Sequence, residues 1–202
     1  MNSLLGTIEN LKEEMSDCKA CDLCTSRKQV VFGTGNYNPK IMIIGEAPGA
    51  DEDEQGVPFV GKAGEKLDKI LKFLEIDRKD IFITNAVLCR PPGNRNPSPE
   101  ELEACKWRLD LQIQLLKPEL IIVLGKVAVQ QLKGGSFNGP LSQFFFDKIG
   151  KQDGWLHYKT NGHVSKVLVT YHPSYLLRRP KQGYRTVLPH WQKVRRWIQH
   201  DR

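Results

Sequence analysis

The side chains best placed to do chemistry fall into short clusters far apart in the chain. Cys18, Cys21 and Cys24 are three residues apart, and Cys89 and Cys105 follow much later. Such a set suits zinc or an iron–sulfur cluster, both of which take four thiolates, and the spacing does not choose between them. The expected compartment is the cytoplasm, whose reducing conditions argue against disulfides. Glu46 stands in GEAPG, Asn85 in TNAVLCRPPGNRNP and His172 in YHPS. A carboxylate positions water or offsets a positive centre, a fixed amide donates and accepts at once, and an imidazole N–H stabilises negative charge on a departing group.

The segment IIGEAPGADEDEQGVPFVGKAGEKL carries glycines at 45, 49, 56, 61 and 64 and prolines at 48 and 58. This is a stiff loop of small residues that lets backbone approach a ligand closely. Gly61, Lys62 and Gly64 open a helix whose free N–H groups are expected to hold a phosphate. The spacing is neither that of a Walker loop nor that of a dinucleotide fingerprint. Phe59, between loop and helix, is read either as a face on which a base stacks or as a core residue. Ser174, next to His172 and Pro173, offers a hydroxyl and a backbone N–H to a phosphate.

Positioning these groups requires a frame. Short apolar runs at Ile41–Ile44, Ile81–Val87, Leu120–Leu124 and Val167–Thr170 read as buried strands. Amphipathic segments at Leu4–Met15, Ala63–Leu74, Pro99–Leu116, Lys126–Leu132 and Val187–His200 read as helices, Ser98 and Glu101 forming a capping box with Pro99 at the first helical position. Trp191 falls on the apolar stripe of the last helix and is expected in the core. Gly134–Asn161, glycine-rich and aromatic, has no firm assignment and is read as a hairpin or a surface excursion. Alternating strands and helices predict one α/β domain over residues 1–202 with a parallel sheet. Each strand is followed by a segment rich in Gly, Pro, Asn or His, and in parallel sheets the ligand crevice lies at those carboxyl ends. The distant clusters are therefore expected to converge.

The formal net charge is +7. From Tyr171 onward Asp201 is the single acid against Arg178, Arg179, Lys181, Arg185, Lys193, Arg195, Arg196 and Arg202, a stripe that suits a phosphate backbone or a solvated helix face. No run of about 20 apolar residues predicts a membrane span, and MNSLLGTIENLKEEM carries acids and no apolar core of a signal peptide.

Taken in order, GEAPG…GVPFVGKAGEKL, TNAVLCRPPGNRNP and HPSYLLR resemble the motifs of the family 4 uracil-DNA glycosylases, over a span from Cys18 to about Arg178. The resemblance implies a three-layer α/β/α fold with a central, mainly parallel four-stranded sheet. It also implies hydrolysis of the N-glycosidic bond of deoxyuridine in single- or double-stranded DNA, leaving an abasic site for base excision repair. By motif, Phe59 would stack on the flipped base, Asn85 would read its edge and His172 would stabilise the uracil anion. Uracil shows an O4 acceptor beside an N3–H donor, which one amide satisfies; cytosine reverses the pair and leaves buried polar groups unpaired at about 1–3 kcal/mol each. Glu46 would position water or stabilise the cationic sugar, with Asn94 a further candidate for holding that water. Glu52 would lie near uracil C5 and exclude thymine. Ala47, which lines the substrate, stands where family 1 enzymes place an aspartate, so their water-activating role does not transfer. Tyr175–Arg178 is read either as a wedge entering the duplex, Leu176 or Leu177 filling the gap, or as a segment whose leucines belong to the core.

The same resemblance selects Cys18, Cys21, Cys89 and Cys105 around a 4Fe-4S cluster and leaves Cys24 spare, although by spacing Cys24 fits as well as Cys21. A non-catalytic or covalently trapping uracil-DNA binder of the same fold is the alternative. Related trapping members carry a basic, histidine-containing insertion near the second motif, and CRPPGNRNPSPEE has none. A zinc-bound transcription or replication factor would leave GEAPG, TNA and HPS unexplained. The expected state is a monomer.

Overall fold

The computed structural model describes residues 6–134, 139–147 and 155–200. In chain order its helices and strands are α1 (Ile8–Met15), β1 (Thr34–Gly35), β2 (Ile41–Gly45), α2 (Ala50–Gln55), α3 (Lys62–Leu74), β3 (Phe82–Asn85), α4 (Pro99–Leu116), β4 (Leu120–Leu124), α5 (Lys126–Lys133), β5 (Leu156–Thr160), β6 (His163–Thr170), α6 (Ser174–Arg178) and α7 (Pro180–His200).

Strands β2, β3 and β4 are buried along their whole length, as parallel strands covered on both faces must be. Successive residues point to opposite faces, and the two faces feed separate cores. Met42, Ile44, Phe82, Ile121 and Val123 pack with α1, α4 and α5, whereas Ile41, Ile43, Ile83, Ile122 and Leu124 pack with α3 and α7. This is the expected three-layer α/β/α arrangement.

The sheet has six strands in the order β1-β3-β2-β4-β6-β5, where the sequence predicts four. The four expected strands form the parallel centre, and β1 and β5 add an antiparallel strand at each edge. β1 spans two residues and leaves no periodicity to read; β5 lies in the unassigned stretch, its apolar positions diluted by His157 and Lys159. The strand expected to reach Val87 stops at Asn85. There the chain turns, and the N–H groups of Ala86 and Val87 donate to the carbonyls of Gly45 and Glu46. The last helix begins at Pro180, earlier than Val187, since proline suits a first helical position and the apolar stripe through Val187, Trp191 and Val194 carries the helix past Pro189. Trp191 is a core residue, as expected. The predicted start of the first helix at Leu4 lies outside the described residues.

From β2 the chain runs to β3 on one side, and from β4 to β6 on the other. A topological switch point therefore falls between β2 and β4, and a crevice opens at their carboxyl ends. Helix α4 connects this crevice to the cysteines. Ser98 Oγ accepts from Glu101 N–H at 3.2 Å while the Glu101 carboxylate accepts from Ser98 N–H at 2.7 Å. Arg95 grips the same carboxylate with two bonds of 2.8 and 2.6 Å, tying the PPGNRN loop to the helix start. Replacing Ser98 with Ala removes the cap and is expected to cost about 1 kcal/mol, lowering Tm by about 2–4 °C in a calorimetric scan.

Candidate active site

The crevice holds a pocket of about 760 Å³. Every parallel strand contributes to its wall: Glu46 and Ala47 follow β2, Asn85 ends β3, Gly125 follows β4, and His172 follows β6. The floor is packed to the limit. A Cβ on Gly45 would come within 2.3 Å of Asn85 Oδ1 and 2.5 Å of Phe59 Cζ, so only glycine lets the amide and the ring meet there. Asn85 is 1% exposed, yet its Oδ1 has no hydrogen-bond partner. A buried acceptor left unpaired costs about 1–3 kcal/mol, which a ligand N–H entering the pocket would recover.

Phe59 has φ of 55°, a left-handed conformation that costs an aromatic residue roughly 1–3 kcal/mol and has to be imposed by its surroundings. Arg78 imposes it. Its guanidinium donates to the Pro58 and Phe59 carbonyls at 3.2 and 2.5 Å and is itself anchored on Asp68 at 2.6 Å. On the far side Glu52 closes the loop: Oε1 accepts from Val60 and Gly61 N–H and Oε2 from Gly49 N–H, each at 2.9 Å. Phe59 thereby lies at the pocket with its ring centroid 5.6 Å from that of His172.

Both oxygens of Glu52 are committed to backbone N–H groups, which braces the loop. The helix start expected to hold a phosphate is crowded at its two glycines. Gly61 N–H is bonded to Glu52, the Asp51 carboxylate stands beside Gly61, and a Cβ on Gly64 would lie 1.9 Å from the Phe59 carbonyl oxygen. Gly64 is there for packing, and Lys62 remains exposed. Neither Arg78 nor the brace role of Glu52 follows from sequence, because Arg78 depends on partners 10 to 20 residues away and Glu52 on the chain folding back onto it.

His172 reaches the pocket past Gly125, whose φ of +94° suits glycine and where an added Cβ would stand 3.3 Å from His172 Cβ. Its Nδ1 accepts the backbone N–H of Ser174 at 3.3 Å and lies 3.0 Å from Ser174 Oγ, so the neutral ring carries its proton on Nε2. Burial, and after it the charge of Arg178, pushes the imidazole down to about 4. At neutral pH it is an uncharged N–H donor. Burial pushes the Glu46 carboxyl up, and Arg178 opposes that. Arg178 also donates to Ser174 Oγ at 3.2 Å, so Ser174 is a linker between the two. Asn94 lines the pocket with φ of 55°, its Oδ1 taken by Arg90 Nε at 2.8 Å.

Tyr175–Arg178 forms most of α6, and its two leucines part company. Leu176 is 1% exposed and packed in the core beside α7, which removes it as a wedge; Leu177 is 40% exposed. Tyr171 and Tyr175 stack at 4.3 Å on the pocket wall, a pair whose only sequence signal is the aromatic on each side of HPS.

The cysteines gather on the other side of α4. Cys18, Cys21, Cys89 and Cys105 line one small cavity, and Cys24 does not. Burial pushes the Cys89 thiol up to about 11, and Arg27 donates to its sulfur at 3.3 Å. A thiol so buried becomes a thiolate in the company of a cation, which fits ligation. Among the described residues no three such groups approach closely enough to hold one metal ion. Four thiols around one shared space are a donor set that fits the tetrathiolate ligation of an iron–sulfur cluster or of zinc.

Substituting Arg78 with Ala leaves the Phe59 backbone without its clamp. Amide hydrogen exchange over residues 58–61 is expected to quicken about tenfold while β4 amides keep their protection; equal change in both would mean general destabilisation.

A carboxylate, a neutral imidazole, a strained aromatic and an unpaired buried amide thus meet in one pocket, with a four-thiol cavity behind it. The family model of the uracil DNA glycosylase superfamily matches residues 32–198, which takes in every group of that pocket. The chain is 39% identical over 196 residues to the type-4 uracil-DNA glycosylase of Thermotoga maritima, covering 96% of each chain. It is 42% identical over 174 residues to the type-4 enzyme of Pyrobaculum aerophilum, covering 86% of each. A type-5 uracil-DNA glycosylase of Thermus thermophilus is 34% identical over 118 residues, about half of each chain. The chain belongs to the uracil-DNA glycosylase superfamily, and within it to the type-4 uracil-DNA glycosylases.

Proposed function

We propose that this chain excises uracil from DNA by hydrolysing the bond between uracil N1 and the sugar C1′, leaving an abasic site. The observation that carries the reading is the unpaired, buried Oδ1 of Asn85. Uracil N3–H fills that vacancy while the amide NH₂ meets O4; cytosine presents the opposite pair and leaves both ends unsatisfied. The base must leave the stack to reach the pocket, at a few kcal/mol, and stacking on Phe59 repays part of that.

Bond cleavage sends the electron pair onto the base and leaves an oxocarbenium-like sugar. Neutral His172 donates Nε2–H to the oxygen on which the anion's charge gathers, a preorganised donor that needs no reorganisation during reaction. Glu46, ionised, faces the positive sugar and orients the water that adds to C1′, with Asn94 beside it. Arg178 and Ser174 hold a backbone phosphate, Lys62 is a further phosphate contact, and Leu177 fills the vacated base position in duplex DNA. Single- and double-stranded substrates both fit this arrangement.

The four cysteines 18, 21, 89 and 105 would hold a 4Fe-4S cluster, whose contribution is a cross-link between the N-terminal segment and α4, away from the reacting atoms. The chain acts as a single domain and a monomer in the cytoplasm; no helix among the described residues is long and apolar enough to cross a membrane.

The test is uracil release from a single-stranded oligonucleotide with one uracil, read as alkali-labile cleavage. Asn85→Ala and His172→Ala are each expected to lose about 100-fold or more in kcat, and no cleavage by the folded, cluster-loaded chain rules the reading out. The pH profile separates the roles. On acidification Glu46 protonates first, above the ordinary carboxylate range, while His172 stays neutral down to about 4. The acid limb therefore belongs to Glu46. It moves to higher pH in Arg178→Ala, which removes the charge that favours the carboxylate.

A further inference from the structure

Arg108, three residues after Cys105 on α4, is 1% exposed, an unusual place for a guanidinium. One terminal nitrogen donates to the carbonyls of Asn85 at 3.1 Å and Ala86 at 2.8 Å; the other donates to Gln112 Oε1 at 2.7 Å. Gln112 is held in turn by a bond from its amide to the Phe32 carbonyl at 3.0 Å. Arg108 also lines the cavity of Cys18, Cys21, Cys89 and Cys105, and its Nε is buried with no partner. A buried cation needs a counter-charge, since an unpaired one costs several kcal/mol. Four thiolates gathered on a cluster supply it, and Nε–H is the donor left over to meet a sulfur.

We propose that Arg108 is a positioning residue that couples the cysteine site to base recognition: the anionic cluster fixes the guanidinium, and the guanidinium fixes the turn at Asn85–Ala86 that aims the reading amide. The tolerance at that turn is small, because Asn85 Oδ1 and the Phe59 ring already leave no space for a methyl group on Gly45. A displacement of a few tenths of an ångström at the Asn85 carbonyl is carried directly to the amide. The cluster then has a part in substrate discrimination, beyond cross-linking the fold, although it touches no reacting atom.

This rests on the uracil-excision reading, and a double-mutant cycle on the cluster-loaded chain keeps the two separate. Single-turnover excision is measured for wild type, Arg108→Lys, Asn85→Ala and the double variant, with cluster lifetime followed as visible absorbance during exposure to an iron chelator. Lysine keeps the charge but cannot span both carbonyls and a sulfur. Arg108→Lys is expected to slow excision about tenfold in the wild-type background and less than about twofold in Asn85→Ala, and to shorten cluster lifetime several-fold. Equal losses in the two backgrounds, or an unchanged cluster lifetime, overturn the coupling. An inactive wild type instead defeats the excision reading itself. Should Arg108→Lys not fold, Gln112→Met removes the acceptor that holds the guanidinium, and the same cycle and the same criteria apply.

Discussion

The structure is organised around one unpaired acceptor. Asn85 Oδ1 sits at the carboxyl end of β3, sealed from water and without a partner. Keeping a polar atom in that condition requires that no other group of the protein reach it. Gly45 supplies the space, the turn at Ala86 and Val87 pins the backbone, and Phe59 closes the side with its ring. The chain accepts the cost of a strained phenylalanine and an orphaned acceptor, and in the proposed reading both costs are recovered when a planar base with an N–H in the right place enters.

The electrostatics around that atom follow from burial and one nearby charge, Arg178. Burial favours neutral His172 and works against ionised Glu46, while Arg178 pushes both the other way or further, depending on the sign of each. For the imidazole the cation adds to burial, so the ring stays an uncharged donor. For the carboxyl it opposes burial, so the acid keeps access to its ionised form. One guanidinium at the pocket thus sets two groups in complementary states, an uncharged donor and a carboxyl with access to its ionised form, which is what the proposed reaction asks of them.

Much of this was legible in the sequence. The four central strands, the capping box at Ser98 and the core position of Trp191 follow from periodicity, and the convergence of GEAPG, TNA and HPS follows from the rule that parallel strands present their carboxyl ends together. What was illegible depends on long-range partners. Leu176 and Leu177 are neighbours of the same type, and only the packing of α6 against α7 buries one and exposes the other. Glu52 carries a carboxylate into the pocket wall, but its three N–H donors come from residues folded back onto it. The edge strands escaped because two residues carry no period and because β5 alternates polar with apolar at one exposed edge. Arg108, in an amphipathic helix, reads as a surface arginine until the cysteines are placed around it.

The most direct measurement is a crystal structure of the cluster-loaded chain with free uracil bound. The account predicts the ring stacked on Phe59, N3–H within about 3.2 Å of Asn85 Oδ1, and O2 facing His172 Nε2. Uracil bound elsewhere, or an Asn85 amide turned to another partner with the base in the pocket, would contradict it.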